Sequence, residues 1–438
     1  MVLTEEQKEI VFSKKNSISV VSVAGSGKTT TLIEYAKENF EKSILCIMFS
    51  KDLRKITKQK MPINCEVHTI NSLSFKYSKY KNNIIIENIG VIDIMNMLNI
   101  NDIDKSFDIL NDYISFTNSF ETTWTGPGYE IYELLKSGKY KIDHSFILKE
   151  FSMSKEISLL DYDIIMVDEA QDTNPVMLDI IKKIKHKKEI FVEDPKQAIY
   201  GFRQNISILD NIKTEVKFTL SKSFRFGTEI SNYVNNLNDI IYGPGQAEKI
   251  YGNEKINSII TEDSLFGLYS AYITRTNAHL FEKAIEYALL GFNICIPFDW
   301  VELKESLYNM LYLKLGMRNK INNKLILKYK SYELFKNSIK RGYNVELSYL
   351  ISIVDKYDIA IIEYINLLEK HLSSSRYADI SLITAHKAKG LEFLFVELGS
   401  DFKLTNIEER NLIYVAATRG VKEMNAVNIE KLLKKSFS

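Results

Sequence analysis

Short apolar runs recur along the chain, each closing on turn-forming or polar residues and giving way to helically spaced apolar positions. They are SISVVSV (17–23), SILCIMF (43–49), DYDIIMVDE (161–169), EIFVED (189–194), GLYSAYITR (267–275), ISLIT (380–384) and FLFVELG (393–399). The runs are nearly continuous rather than alternating, as expected of strands buried on both faces, and the strand-then-helix rhythm predicts parallel sheets in an α/β fold. They form two clusters, residues 17–50 with 163–205 and residues 217–296 with 380–438. Two α/β units, each interrupted by a mostly helical insertion, explain the clustering. The predicted first unit is 1–80 with 151–205, interrupted by 81–150. The predicted second is 206–297 with 377–438, interrupted by 298–376, where VELKESLYNMLYLKL (301–315) and EYINLLEKHL (363–372) have helical spacing.

A chain of 438 residues exceeds what one hydrophobic core usually covers, which agrees with two units. Hydrophobic residues make up 45% and charged residues 26%, the balance of an ordinary globular protein. Lys plus Arg number 57 against 56 Asp plus Glu, so no global field draws the chain onto nucleic acid, and any such contact must be a local groove. Cys46, Cys65 and Cys295 are too scattered for a zinc site and too few for a disulfide framework, which points to a reducing compartment. The first residues lack a basic segment followed by an apolar one, and no stretch approaches the roughly 18 apolar residues of a membrane span. The expected location is the cytoplasm of a bacterial or phage-infected cell, or the nucleus if the chain is eukaryotic, with no membrane contact.

The first run leads into Ala24-Gly25-Ser26-Gly27-Lys28-Thr29-Thr30 and then a helical stretch. Glycines there let backbone N–H groups approach phosphates, and the new helix presents its positive end. Lys28 can reach the β- and γ-phosphates and Thr29 can ligate Mg²⁺. The third run ends in Asp168-Glu169-Ala170-Gln171-Asp172. Beside a phosphate loop, one carboxylate (Asp168) can hold the metal and the next (Glu169) can orient or deprotonate the attacking water.

With VEDPKQAIYGFR (192–203), SFRFG (223–227), ITAHKAKGLEF (383–393) and NLIYVAATRG (411–420) following in order, the chain resembles the UvrD/Rep-like superfamily 1A DNA helicases. The likeness runs from Gln7 to Arg419 and skips both insertions. It implies two RecA-like parallel-sheet domains of the P-loop NTPase type and an ATP-dependent motor with Mg²⁺ as cofactor. That motor would move 3′ to 5′ on single-stranded DNA and unwind duplexes by coupling ATP hydrolysis to cleft closure. By the same resemblance, Gln7 reads the adenine edge, Gln197 senses the γ-phosphate, Arg225 binds that phosphate and Phe224 stacks on the base. Arg419 is then the arginine finger, and Glu392 with Gly390 links the second domain to nucleotide and DNA. Taken without the motifs, Gln7 is a polar helix residue and either arginine a surface ion pair.

Single strands are gripped by aromatic faces and phosphate donors. Tyr200 and Phe202, followed by Arg203, resemble the family's stacking pair, with core packing as the alternative. Phe49 and Lys51, then His68 and Thr69, sit where the first-domain DNA motifs fall, and Thr384 and His386 are their second-domain counterparts. A lone histidine such as His68 is as often structural. The run KKIKHKK (182–188) reads as cations at a helix C-terminus, and Trp124 as a turn residue that could also separate strands. The family pattern is broken by Ser22 for the first loop glycine, by Glu193 for the glycine before Asp194-Pro195, and by Gln204-Asn205 for a small pair.

In its compactness and in HSFILKEF (144–151) the chain resembles the F-box DNA helicase branch, although it shows no F-box segment. It reads as nearly a bare motor, monomeric in isolation. Expected partners are single-stranded DNA and single-strand/duplex junctions, with replication or recombination proteins as candidate protein partners. Two rivals keep the same motifs: a translocase that strips proteins from single strands with little unwinding, and an ATP-gated DNA-binding scaffold with vestigial hydrolysis. Nothing beyond the motor motifs remains to build a nuclease site.

Overall fold

The protein is described from a computed structural model, which covers residues 2–80, 85–86, 88–201, 211–264, 266–267, 269–297, 300–339 and 345–437. Two compact units divide the chain, Met1–Lys222 and Ser223–Ser438, and each holds a six-stranded parallel sheet flanked by helices.

In the first unit the strands are β1 (Ser17–Ser22), β2 (Ile44–Met48), β3 (Cys65–Thr69), β6 (Ile164–Val167), β7 (Lys188–Glu193) and β8 (Val216–Leu220), in the spatial order β3-β2-β6-β7-β1-β8. Side chains alternate between the faces of a strand, so each apolar run feeds two cores at once. Ile44, Cys46, Met48, Ile164 and Met166 pack with Leu32, Tyr35 and Ala36 of the helix Lys28–Glu38. Leu45, Ile47, Ile165 and Val167 face the other way, onto Val176, Ile180 and Ile181 of the helix Pro175–Lys183. The first insertion has its own core, in which Tyr132 meets Phe116 edge-on and Phe146 at a tilt, with Tyr113 buried in the same cluster. A short parallel pair, β4 (Ile85–Ile86) with β5 (Ile142–Asp143), also lies there.

One strand departs from the sequence reading. Val216–Leu220, assigned above to the second unit, pairs with β1 in the first sheet, with Ile18 opposite Val216. Ser221 is held there as well, its N–H and hydroxyl donating to the Glu6 carboxylate at 2.9 and 2.5 Å. The compact units therefore divide after Lys222.

The second unit repeats the architecture with β9 (Ile259–Thr261), β10 (Ser270–Thr274), β11 (Ile294–Cys295), β12 (Ile380–Thr384), β13 (Phe393–Leu398) and β14 (Gly420–Asn425), in the order β11-β12-β10-β13-β14-β9. Between β11 and β12 stand the helices of the second insertion, among them Trp300–Lys314, Val345–Tyr357 and Ala360–His371. No helix among the described residues is long and apolar enough to cross a membrane.

Candidate functional site

Ligands of open parallel sheets bind at the carboxyl ends of the strands. In the first unit β7 lies between β6 and β1, which sets Asp168-Glu169, Asp194 and the Ala24–Thr30 loop side by side. Gly25 and Gly27 adopt φ of 73° and 79°, a left-handed conformation that side-chain-bearing residues rarely tolerate. The helix Lys28–Glu38 starts from Gly27 with no side-chain cap on its first N–H groups.

Thr29 Oγ1 donates to Asp168 Oδ2 at 2.7 Å, and Lys28 Nζ meets Glu169 Oε1 at 3.3 Å. Burial alone would push the Lys28 pKa down, but the Glu169, Asp194 and Asp168 carboxylates outweigh it and hold the ammonium above the usual lysine range. Asp168 is raised to about 6 by burial and by the Glu169 charge, against the pull of Lys28 and Thr29. Burial also raises Asp194, with Lys28 and Gln197 opposing. Glu169 itself takes a left-handed φ of 54°, uncommon for a non-glycine residue.

Sequence reasoning missed two members of this cluster. Gln171 bridges Glu169 and the Asp194 N–H, and Asp194 Oδ2 accepts from Gln197 Nε2 at 2.6 Å. The carboxylate of Asp194 was visible in the EIFVED run. The bridge was not, because it spans two strand ends.

Gln7 is buried in the first unit and closes a capping box: its Oε1 accepts from Thr4 N at 3.1 Å while Thr4 Oγ1 accepts from Gln7 N at 3.2 Å. The carbonyl keeps a second lone pair. The two departures at the loop prove to be neighbours. Ser22 Oγ donates to the Glu193 carbonyl at 2.7 Å, where β1 and β7 run side by side with Val21 opposite Glu193.

The described candidate DNA residues of the first unit stand at or beyond the carboxyl ends of β2, β3 and β7. Phe49 packs against the core from its edge, and Lys51 is exposed at the start of the helix Lys51–Lys60. His68 is half-buried, its ring nitrogens 3.3 Å from Ser72 Oγ and Glu66 Oε2, and burial with the Lys76 charge depresses its pKa. Thr69 caps the helix Ile70–Tyr77, so its hydroxyl has a structural task. Tyr200 is half-buried. Phe202 and Arg203 lie outside the described residues.

The run 182–188 is largely paired. Lys183 meets Asp179, Lys185 meets Asp161 and Lys187 meets Asp163, at 2.6–2.8 Å. Trp124 is tied down too, its indole N–H shared between both Asp112 oxygens at 3.0 Å.

Within the second unit Arg225, Glu392 and Arg419 gather around Thr418. Arg225 Nε donates to Glu392 Oε1 at 2.8 Å, and its Nη1 donates to the Thr418 carbonyl at 2.9 Å. Arg419 is 1% exposed and turned inward: Nε donates to Val415 O at 2.8 Å and Nη2 to Thr418 Oγ1 at 3.0 Å. In this conformation it closes the end of the helix Ile407–Ala417. Phe224 is 42% exposed. Thr384 begins the short helix Ala385–Ala388, on which His386 is half-buried.

Comparison with known proteins matches residues 66–217 to the UvrD/REP helicase N-terminal domain and residues 379–427 to the UvrD-like helicase C-terminal domain. F-box DNA helicase 1 of Gallus gallus is 27% identical, and the match covers 96% of this chain and 48% of that protein. F-box DNA helicase protein 1 of Schizosaccharomyces pombe is 26% identical over 96% of this chain and 57% of its own length. The RecBCD enzyme subunit RecB of Borreliella burgdorferi is 32% identical over 27% of this chain and 12% of its own length. The chain thus spans about half the length of the F-box DNA helicases it matches.

Proposed function

Starting from a chain that carries both UvrD-like helicase domains and is homologous to F-box DNA helicases, we propose that it is an ATP-driven DNA helicase. It translocates on single-stranded DNA, 3′ to 5′ as the family resemblance implies, and separates duplexes. The observation that carries this reading is the convergence of Lys28, Thr29, Asp168 and Glu169 at one uncapped helix N-terminus.

The residues present suit a nucleoside triphosphate with a divalent cation. Ser26 Oγ is buried with no hydrogen-bond partner, and the first N–H groups of the helix Lys28–Glu38 have no side-chain acceptor. Phosphate oxygens satisfy such groups. Thr29 and Asp168 would hold Mg²⁺. Held there, the cation would supply Lewis-acid neutralisation of phosphate charge.

Lys28 exchanges its carboxylate neighbours for phosphate, which removes its hold on Glu169 Oε1. That oxygen then aligns the attacking water and takes its proton. Gln197, held by Asp194, reports on the phosphate, and Tyr200 three residues later stacks on a base. The family resemblance assigns further positive charge to Arg225 and Arg419, whose guanidinium groups here donate to Glu392 and to the Thr418 and Val415 carbonyls.

Steady-state ATP hydrolysis with and without single-stranded DNA, for the wild type and for Glu169→Gln, tests the motor. Stimulation by DNA that Glu169→Gln abolishes supports it. Hydrolysis that is absent or indifferent to DNA refutes it and leaves an ATP-gated scaffold. Strand displacement on substrates with 3′ or 5′ tails, beside removal of a protein from single strands, separates helicase from stripping translocase.

A further inference from the structure

Gln171 is 2% exposed and lies two residues beyond Glu169. Its Nε2 donates to Glu169 Oε2 at 2.5 Å, and its Oε1 accepts from the backbone N–H of Asp194 at 3.1 Å. The amide can stand only one way round. Flipped, it would set its oxygen against a carboxylate and its NH₂ against an N–H. Bonds to a charged acceptor are the stronger kind, and this one holds a residue whose backbone is in the left-handed region.

The two oxygens of Glu169 therefore have different neighbours. Oε2 belongs to Gln171, whereas Oε1 faces Lys28 Nζ at 3.3 Å. When Lys28 turns to phosphate, its hold on Oε1 is given up while the Gln171 bond to Oε2 stays. Through the Asp194 N–H the same amide reaches the segment whose carboxylate holds Gln197.

We infer that Gln171 is a positioning residue for hydrolysis: it clamps Glu169 by one oxygen, presents the other to the attacking water, and ties that carboxylate to the Asp194–Gln197 segment. The inference rests on the reading of Glu169 as the base. A residue with this task lowers turnover without weakening nucleotide binding. Its loss also overlaps with the loss at Gln197, because both residues hold one hydrogen-bonded unit.

The test measures ATPase rates with and without single-stranded DNA, and binding of a fluorescent ATP analogue, for the wild type, Gln171→Met, Gln171→Glu, Gln197→Ala and the Gln171→Met/Gln197→Ala double variant. Methionine keeps the volume and loses both bonds. Glutamate keeps an acceptor for Asp194 N–H but offers Glu169 a like charge. Each Gln171 variant should lower kcat by about 10–100-fold, the cost of a small misplacement of a reacting group, with analogue affinity within about twofold. The double variant should fall little below the worse single one.

Wild-type kcat in both Gln171 variants overturns the inference, as do losses confined to KM or losses that multiply in the double variant. Should the wild type hydrolyse nothing, or Glu169→Gln remain active, the reading of Glu169 fails and the role of Gln171 fails with it. A Glu169-dependent wild type with active Gln171 variants refutes Gln171 alone.

Discussion

Arg275 and Glu409 form the best-defined ion pair of the second unit, and removing one partner has a calculable effect. Arg275 Nε lies 3.0 and 2.8 Å from the two Glu409 oxygens and Nη2 lies 2.7 Å from Oε1, with side-chain exposures of 13% and 11%. The pair joins the end of β10 to the helix Ile407–Ala417 that carries Thr418 and Arg419 at its close. Asp401 completes the junction by accepting from Arg275 N, Thr276 N and Thr276 Oγ1. Breaking a buried pair costs about 3–5 kcal/mol and an exposed one about 0–1. At this burial Arg275→Met should cost about 2–4 kcal/mol, most of it the stranded Glu409 charge. For a unit of this size that is about 5–15 °C in Tm. The chain has two tryptophans, Trp124 in the first unit and Trp300 in the second. A Trp124→Phe background therefore gives one fluorescent reporter of the second unit in urea titrations. The double variant Arg275→Met/Glu409→Met should regain most of the loss, since an apolar pair replaces a buried ion pair at little cost. Single losses below about 0.5 kcal/mol that simply add would mean the pair is screened as a surface pair, and the burial argument would be wrong.

Lys149 is 1% exposed, with Nζ 2.8 Å from the Ser119 carbonyl and 4.5 Å from the Phe116 ring centroid, and burial lowers its pKa to about 8. Below that pH both folded and unfolded chains carry the charge. Above it the folded state sheds the proton first, so stability should rise between about pH 8 and the unfolded value near 10.4. Lys149→Met should abolish that rise relative to wild type in denaturant titrations across this range. Asp112→Ala removes the acceptor of the Trp124 indole and of Gly128 N, the latter at 2.7 Å. It should destabilise the first insertion by about 2–4 kcal/mol and increase acrylamide quenching of Trp124 in a Trp300→Phe background. Unchanged quenching would contradict the anchoring. Lys28→Met removes the ammonium beside Asp168, Glu169 and Asp194 and should weaken binding of a fluorescent ATP analogue at least about tenfold, which equilibrium titration will check.

The strands were legible because parallel sheets bury both faces, so each announces itself as an apolar run whatever its neighbours are. Sheet membership was not legible. VKFTL (216–220) reads as a strand in either unit, and only its pairing with β1 decides. The phosphate loop and DEAQD were plain because their chemistry is local. Gln171 and Thr418 escaped notice because their partners come from other strands or from a distant motif. Arg419 could be placed in its motif, yet whether its guanidinium turns inward depends on carbonyls supplied by Val415 and Leu391. One signal was present and passed over. Thr4-Glu5-Glu6-Gln7 is a capping-box pattern, which fixes Gln7 before any ligand is considered.

The hydrogen bond from Ser22 to the Glu193 carbonyl matters for anyone building chimaeras of this chain. Grafting a relative's glycine-initiated loop onto β1 would delete the hydroxyl and with it the bond to the Glu193 carbonyl. Exchanging the β7 end alone would change the backbone that the hydroxyl meets. The two strand ends form one transplantable module, to be cut and moved together, although 171 positions separate them in the chain.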